Sequence, residues 1–439
     1  MLEVRGYLPI VLFIVWTVAL GIGLYGASTR YGDVPIDYLV YQRGADALRH
    51  GASLYQTPSQ SLAIWRSFHQ TDATIRAAHA RGMGEQALQA YVQGPERPGP
   101  YLYPPTLALL VDQLHLSPLS WDILALLCIV AFALLWVRRV RASPWWLLLA
   151  ASSWDVWGFF TSGNAEIPLL TASLLVAWLL WPPRPIGIVS VPAAAVLLAL
   201  VLLVKPFYAL FFLVFGLLLL LQPMHERRAT LRVLVATAAL ALICVGLEVL
   251  RWGPELRRAA LGYVAHTLDA QWFALPVSMQ TPMSAWNRTP LQALIELGVP
   301  ATPAQLISGA LWIVVVAAIM WVLRGRQLTF PLVVALSLTL LYIGRPIGWT
   351  LAYLDFVVGS VAWPVLPSWG RLLLLAGIIT LFVSHWAAAI LTATGAGLYL
   401  VTVQPAMTPW ETWIVLPLSI LLVVGVCLRC PLTAAARRP

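Results

Sequence analysis

Apolar residues come in runs of about 17–25 along almost the whole chain, and no other feature constrains its fold as much. A helix needs about 20 apolar residues to cross a hydrocarbon core of about 30 Å, because each residue advances it about 1.5 Å. Runs of this kind cover approximately 7–27, 119–137, 144–161, 164–181, 186–204, 206–222, 231–252, 304–323, 328–344, 350–367, 371–394 and 410–428. Composition closes off a large aqueous core: 60% of the residues are hydrophobic and 10% charged, against about 25% charged in soluble domains. The surplus apolar surface needs lipid to cover it, and in lipid the backbone must satisfy its own polar groups. The expectation is an all-α polytopic membrane protein of about twelve transmembrane helices, a single integral membrane domain over 1–439.

Arginine orients the bundle. With the N-terminus in the cytoplasm, the cluster Arg138, Arg139 and Arg141 falls on the cytoplasmic side. So do Arg184, the stretch Arg227 to Arg232, Arg324 with Arg326, Arg371 and the terminal Arg437-Arg438, as the positive-inside rule requires. Both termini are then cytoplasmic, in a cell membrane. Two long polar segments, 28–118 and 253–303, become extracytoplasmic loops. In the first of them, Asp37 to His50 and Ser59 to Ala80 carry apolar residues at helical spacing and read as amphipathic interfacial helices. Pro104 to Leu116 is apolar but too short to span, so it reads as re-entrant or interfacial. The first run, Tyr7 to Ala27, lacks a small-x-small cleavage site and reads as an uncleaved signal anchor.

Other classes are excluded on the same residues. A net charge of +9 made of scattered arginines is topogenic, not a nucleic-acid face. Cys128, Cys244, Cys427 and Cys430 lie in or beside apolar runs; the last two form a lone CxxC without a second ligand pair, so packing is the better reading. No His/Asp/Glu group has metal-ligand spacing, and neither a metal nor a cofactor is expected.

Charge inside a span is costly and marks function by default. In this orientation Asp155, Glu166, Lys205, Glu248 and Asp355 all fall near the outer ends of their spans. Lys205 is the one lysine in the chain, and Lys205-Pro206 breaks the apolar run around it. The one-sided distribution favours a polar cavity opening outward. For any single residue, snorkelling or pairing with Arg251 or Arg345 is an equal alternative.

Motifs then narrow the field. DYLVYQRGADALRHGASLY runs from Asp37 to Tyr55 and YLYPPTLALL from Tyr101 to Leu110. GNAEIPLL follows from Gly163, LLVKPFYALF from Leu202 and SAWNRTPLQALI from Ser284. In order and spacing, up to about residue 300, this series resembles glycosyltransferase family 87, membrane mannosyltransferases of the GT-C superfamily. The chain departs from the family where Gly163-Asn164-Ala165-Glu166 stands for the usual Gly-Gln-x-Asn.

The resemblance implies a GT-C-type helix bundle and an inverting transfer of mannose from a polyprenyl-phosphate sugar donor to a lipid or glycan acceptor at the extracytoplasmic face. It implies Asp37 as the base, with Asp33 the alternative, and Lys205, Arg288 and Arg345 on the donor phosphate. Tyr41, Tyr101, Tyr103, Asn164 and Glu166 would line the sugar or acceptor site.

The residues alone leave other readings open. Asp37 also suits a helix N-cap. Lys205 could snorkel, Arg288 suits an ordinary loop and Arg345 suits a headgroup anchor. Tyr101 and Tyr103 suit interfacial tyrosines, and His266 and His385 read as structural. A multi-span transporter or lipid flippase is the rival function, since intramembrane charge suits it equally. Against it stand the missing internal repeat and the one-sided charges.

Overall fold

The structure is a computed structural model that describes residues 2–31, 36–52, 54, 103–153, 156, 157, 160, 163–181, 190–221, 224–268, 289–345, 352–379 and 415–431. Among these the regular structure is helical. The elements begin with α1 (Leu2–Tyr31), α2 (Ile36–Arg49), α3 (Pro105–Gln113), α4 (Pro118–Val140) and α5 (Trp146–Ser152). Next come α6 (Glu166–Leu180), α7 (Ser190–Val204), α8 (Ala209–Leu220), α9 (Met224–Arg251), α10 (Pro254–Leu268) and α11 (Pro290–Glu296). The chain continues with α12 (Ala301–Val322), α13 (Phe330–Gly344), α14 (Leu354–Ala362), α15 (Ser368–Ile379) and α16 (Leu416–Leu428).

Length divides these helices into two kinds. Four are long and apolar enough to cross a membrane: Tyr7–Tyr25 of α1, Pro118–Val140, Arg228–Arg251 of α9 and Thr302–Val322 of α12. Only 11% to 33% of each lies buried inside the protein, and their outer faces expose leucine, isoleucine and valine. Val15 and Ile22, Leu127, Leu247 and Leu250, and Ile313 and Val314 are examples. Such faces suit lipid, and these helices make a multi-pass membrane protein of the chain. The other apolar helices are shorter, and among them α6, α7, α8, α13 and α14 are much more buried. A lipid-facing helix must run the full hydrocarbon thickness; a helix enclosed by protein need not, since its ends meet other protein groups.

At the centre is α13. Phe330 and Leu332 through Ile343 are all buried, the signature of a helix apolar on every side. It packs against α4, α6, α8, α12, α14 and α16. Two of its hydroxyls are satisfied within the helix, Ser337 Oγ donating to the Val333 carbonyl at 2.8 Å and Thr339 Oγ1 to Ala335 at 2.8 Å, while the Tyr342 hydroxyl donates to the Ala352 carbonyl at 2.7 Å. With 15 residues it is about 22 Å long, so its C-terminus stops inside the protein.

Local chemistry sets the helix limits. Ser117 caps α4 in a reciprocal box with Ser120: the Ser120 amide donates to Ser117 Oγ at 3.1 Å and the Ser117 amide to Ser120 Oγ at 2.7 Å. Pro118 opens the helix, where its missing N–H costs nothing. The α4 C-terminus has Arg138 and Arg139 in its last turn and Arg141 in the left-handed region at φ 54°, where cations complement the helix dipole.

Two faces of the bundle follow from contacts at the helix ends. At one, Arg139 lies 5.1 Å over the Phe330 ring and Trp181 meets the same ring edge-on at 5.5 Å. The ends of α4 and α6 and the start of α13 therefore lie together. At the other, Trp121 in the first turn of α4 reaches Gly163, just before α6, and Arg345, just after α13, reaches Glu166.

The first expected loop is partly built into this second face. Residues 36–49 form a helix as the spacing predicts, with Tyr38, Val40, Tyr41 and Ala45 buried on a face that packs with α3. The Tyr38 hydroxyl donates to the Leu116 carbonyl, and burial, then the Asp46 carboxylate, raise its phenol pKa above the usual value. Arg49 bridges to Asp112 and to Asp46. Residues 105–113 form a nine-residue helix, too short to span, as expected. The predicted helix from Ser59 to Ala80 lies outside the described residues. The second loop, 253–303, contains α10 and α11.

Candidate functional site

Gly163 to Glu166 form the turn that enters α6. Gly163 takes φ 69°, a left-handed conformation that glycine adopts without strain. Its carbonyl accepts from Trp121 Nε1 at 2.8 Å. The Ala165 amide donates to Tyr41 Oη at 3.1 Å, so α2 holds this turn from outside. Asn164 Oδ1 accepts from the Glu166 amide at 3.0 Å and from Lys205 Nζ at 3.0 Å. One side chain thus satisfies an orphan amide of α6 and a cation at once.

Glu166 is the centre of the arrangement. One carboxylate oxygen lies 2.6 Å from Lys205 Nζ and the other 3.0 Å from an Arg345 guanidinium nitrogen. All three side chains are buried: 8% of Lys205, 2% of Arg345 and 2% of Glu166 are exposed. Each charge sits where a helix dipole favours it. Glu166 is the first residue of α6, Lys205 directly follows α7, and Arg345 directly follows α13. Lys205 occupies the break itself, at φ −142° and ψ 90°, with Pro206 opening a 3-10 turn through Tyr208.

Aromatic rings surround the cations. Arg345 lies 4.2 Å over Tyr342, and Lys205 lies 5.6 Å from the Tyr103 ring and 5.8 Å from Phe207. Tyr41 meets Tyr103 edge-on at 4.9 Å and Trp121 at 5.6 Å. Tyr208 is buried with its hydroxyl beside the Glu166 carboxylate.

Such a cluster sets one carboxylate between two cations. Burying it costs several kcal/mol of desolvation per ion, which ion pairing offsets only with good geometry. Two buried cations held in place in low dielectric are an arrangement suited to an anionic group.

Of the residues proposed from the sequence, Tyr41, Tyr103, Asn164, Glu166, Lys205 and Arg345 come together here. Asp37 lies in the first turn of α2, one turn before Tyr41. Arg288 and Tyr101 lie outside the described residues, as do Asp33 and Asp155. Of the five charges expected near the outer ends of the spans, Glu166 and Lys205 pair directly. Glu248 lies 3.9 Å from Arg251 on the partly exposed end of α9, the plain pairing alternative. Asp355 accepts from the Phe356 amide at 2.8 Å in the first turn of α14. Among the described residues no group of three His, Cys, Asp or Glu could hold a metal ion.

Three residues escaped the sequence reading: Trp121, Tyr208 and Asp122. Trp121 and Tyr208 carry no signal beyond aromatic composition. Asp122 does, because a carboxylate within an apolar run is costly.

No family model, no curated protein and no solved structure matches the chain.

Proposed function

We propose that this protein is a membrane glycosyltransferase of GT-C type. It moves a sugar, mannose by the motif resemblance, from a polyprenyl-phosphate donor to a lipid or glycan acceptor at the extracytoplasmic face. The observation that carries this reading is the buried Glu166–Lys205–Arg345 cluster at the ends of three short helices. A transporter would hold its charges near the midplane of its spans; these occupy helix termini at one face.

With the arginine-rich face of Arg138, Arg139 and Arg326 in the cytoplasm, the cluster belongs to the outer leaflet, where a polyprenyl phosphate presents its headgroup. The lipid tail stays among the spans. Lys205 and Arg345, with Arg288 from the second loop, hold the phosphate by charge-assisted hydrogen bonds. Tyr41, Tyr101, Tyr103 and Asn164 line the sugar side. Asp37 takes the proton from the acceptor hydroxyl as its oxygen bonds to the anomeric carbon. The bond from that carbon to the phosphate oxygen breaks, and polyprenyl phosphate leaves with the electron pair. Attack opposite the leaving group inverts the anomeric centre. The departing phosphate is a stable anion, so neither a general acid nor a cofactor is called for.

The test is label transfer in membranes. Membranes holding the wild type or Asp37→Ala are incubated with radiolabelled polyprenyl-phosphate mannose and cell-envelope lipid. Transfer by the wild type and its loss in a folded Asp37→Ala variant support the reaction and the base together. Transfer that survives the substitution moves the base elsewhere, with Asp33 tested next. If glucose, arabinose and mannose donors all fail with the wild type, the transferase reading falls.

A further inference from the structure

Three arginines far from the Glu166 cluster hydrogen-bond only to main-chain carbonyls among the described residues. Arg371 donates from Nε to the Trp363 carbonyl at 3.0 Å and from Nη2 to the Pro364 carbonyl at 3.3 Å. Arg429, the residue after α16, donates from Nη1 to the Val365 carbonyl. Consecutive Cα atoms lie about 3.8 Å apart, so the two guanidiniums meet on one turn, the one that ends α14. Arg326 donates to the Cys430 carbonyl at 2.9 Å, and the Gln327 amide to the Pro431 carbonyl at 3.0 Å. The loop between α12 and α13 is thereby tied to the end of α16. Trp136, near the C-terminus of α4, donates to Ser360 near the C-terminus of α14 at 2.8 Å. The turn thus lies at the end of the bundle that holds Arg138 and Arg139.

Capping explains part of this arrangement. A helix C-terminus leaves carbonyls unpaired and carries roughly half a negative charge. Two guanidiniums on the end of one nine-residue helix exceed that. Among the described residues none of the three arginines pairs with a carboxylate. The chain offers few: from Arg324 to its last residue the acidic side chains are Asp355 and Glu411. Asp355 stands in the first turn of α14, at the opposite end of that helix. Each guanidinium also presents further N–H donors in a planar fork, held in place by the carbonyl bonds already made.

The surroundings point to the source of an anion. Arg371 lies 5.8 Å over the Trp363 ring, and Trp363 meets Trp146 edge-on at 5.8 Å. Trp145 and Trp369 are exposed. Tryptophan gathers at the headgroup level of a bilayer. The adjoining surface is aliphatic: Leu372 and Leu373 follow Arg371, Leu421 and Leu428 precede Arg429, and all four are exposed. The cations therefore stand at the edge of a lipid-facing surface, the level at which a phospholipid carries its phosphate.

We propose that Arg371 and Arg429, flanked by Arg326, bind the phosphate of an anionic phospholipid in the leaflet at this end of the bundle. Its acyl chains lie along the leucines of α15 and α16. Guanidinium forks match phosphate oxygens, and the lipid supplies the negative charge that the helix end lacks. The site is independent of the transferase reading.

The test is native mass spectrometry of the full chain, released from a non-ionic detergent and titrated with equimolar phosphatidylglycerol and phosphatidylcholine of the same acyl chains. The wild type is expected to retain phosphatidylglycerol in preference. Arg371→Gln with Arg429→Gln should weaken that binding roughly thirtyfold, at about a fivefold loss per arginine. Arg228→Gln with Arg232→Gln removes the same charge from exposed positions on α9 and should leave it unchanged. If the double variant at 371 and 429 does not fold, Arg429→Gln alone, at an exposed position, carries the test with about a fivefold loss. Equal retention of the two lipids, full binding by the variants at 371 and 429, or an equal loss in the α9 control overturns the proposal. Inorganic phosphate in millimolar amounts should not displace the lipid; displacement would make this a site for soluble phosphate and overturn the lipid assignment.

Discussion

Replacing Glu166 by glutamine removes one negative charge and no volume, so it isolates the electrostatic role of the cluster. Two contacts change, at 2.6 Å to Lys205 and 3.0 Å to Arg345. The amide oxygen of glutamine still accepts from one of the cations, but position 166 no longer neutralises either, and both are more than nine-tenths buried. Breaking a buried ion pair by deleting one partner costs about 3–5 kcal/mol, because the remaining charge stays uncompensated. For a chain of this size that is a fall in melting midpoint of roughly 3–5 °C. The assay is thermal unfolding of the purified protein in phosphate-free, non-ionic detergent. Two further measurements fix the cause. Lys205→Met added to Glu166→Gln removes one of the stranded charges and should recover most of the loss, a strongly non-additive pair. Polyprenyl phosphate, and not the uncharged polyprenol, should also raise the midpoint of Glu166→Gln, since its phosphate supplies the missing anion. A Glu166→Gln variant that melts with the wild type would refute the argument that the cluster is held by charge.

Two other predictions concern packing around the site. Gly344→Ala would drive a Cβ into the Trp312 indole and to 3.0 Å from Leu210 Cδ1, one residue before Arg345; a loss of about 1–3 kcal/mol is expected, read as a lower melting midpoint that Trp312→Phe partly relieves. Tyr353 is buried with its hydroxyl unsatisfied while its ring stacks on Phe132 at 4.0 Å. Tyr353→Phe should therefore be neutral or stabilising by up to about 1 kcal/mol, whereas Tyr353→Ala should cost about 3–5 kcal/mol, both by thermal unfolding.

The helices were legible because length and apolarity alone identify them. Every apolar run found in the sequence contains a described helix, from α1 to α16. The break at Lys205 was legible too, since Pro206 cannot continue α7. What sequence could not supply was which helix ends meet. Glu166 and Arg345 are separated by 179 positions, and Glu166 and Lys205 by 39. Their pairing follows from α6, α7 and α13 packing side by side, a tertiary fact with no local signature. The same limit explains why Glu166 looked like a candidate sugar ligand and stands in the structure as the counter-ion of both cations. An amphipathic stripe records that one face is buried, not whether lipid or protein buries it.

Chemistry with amine-directed reagents gains from Lys205 being the chain's one lysine. Acylation of the native protein has a single side-chain target, and that target is sealed between Asn164 and Glu166. Its ammonium must shed a proton and meet solvent before it can react. Labelling of Lys205 therefore works as a built-in shutter signal, silent while the cluster is closed and rising with any event that parts α7 from α6. No engineered probe is needed to read it, and the rest of the chain offers no competing lysine.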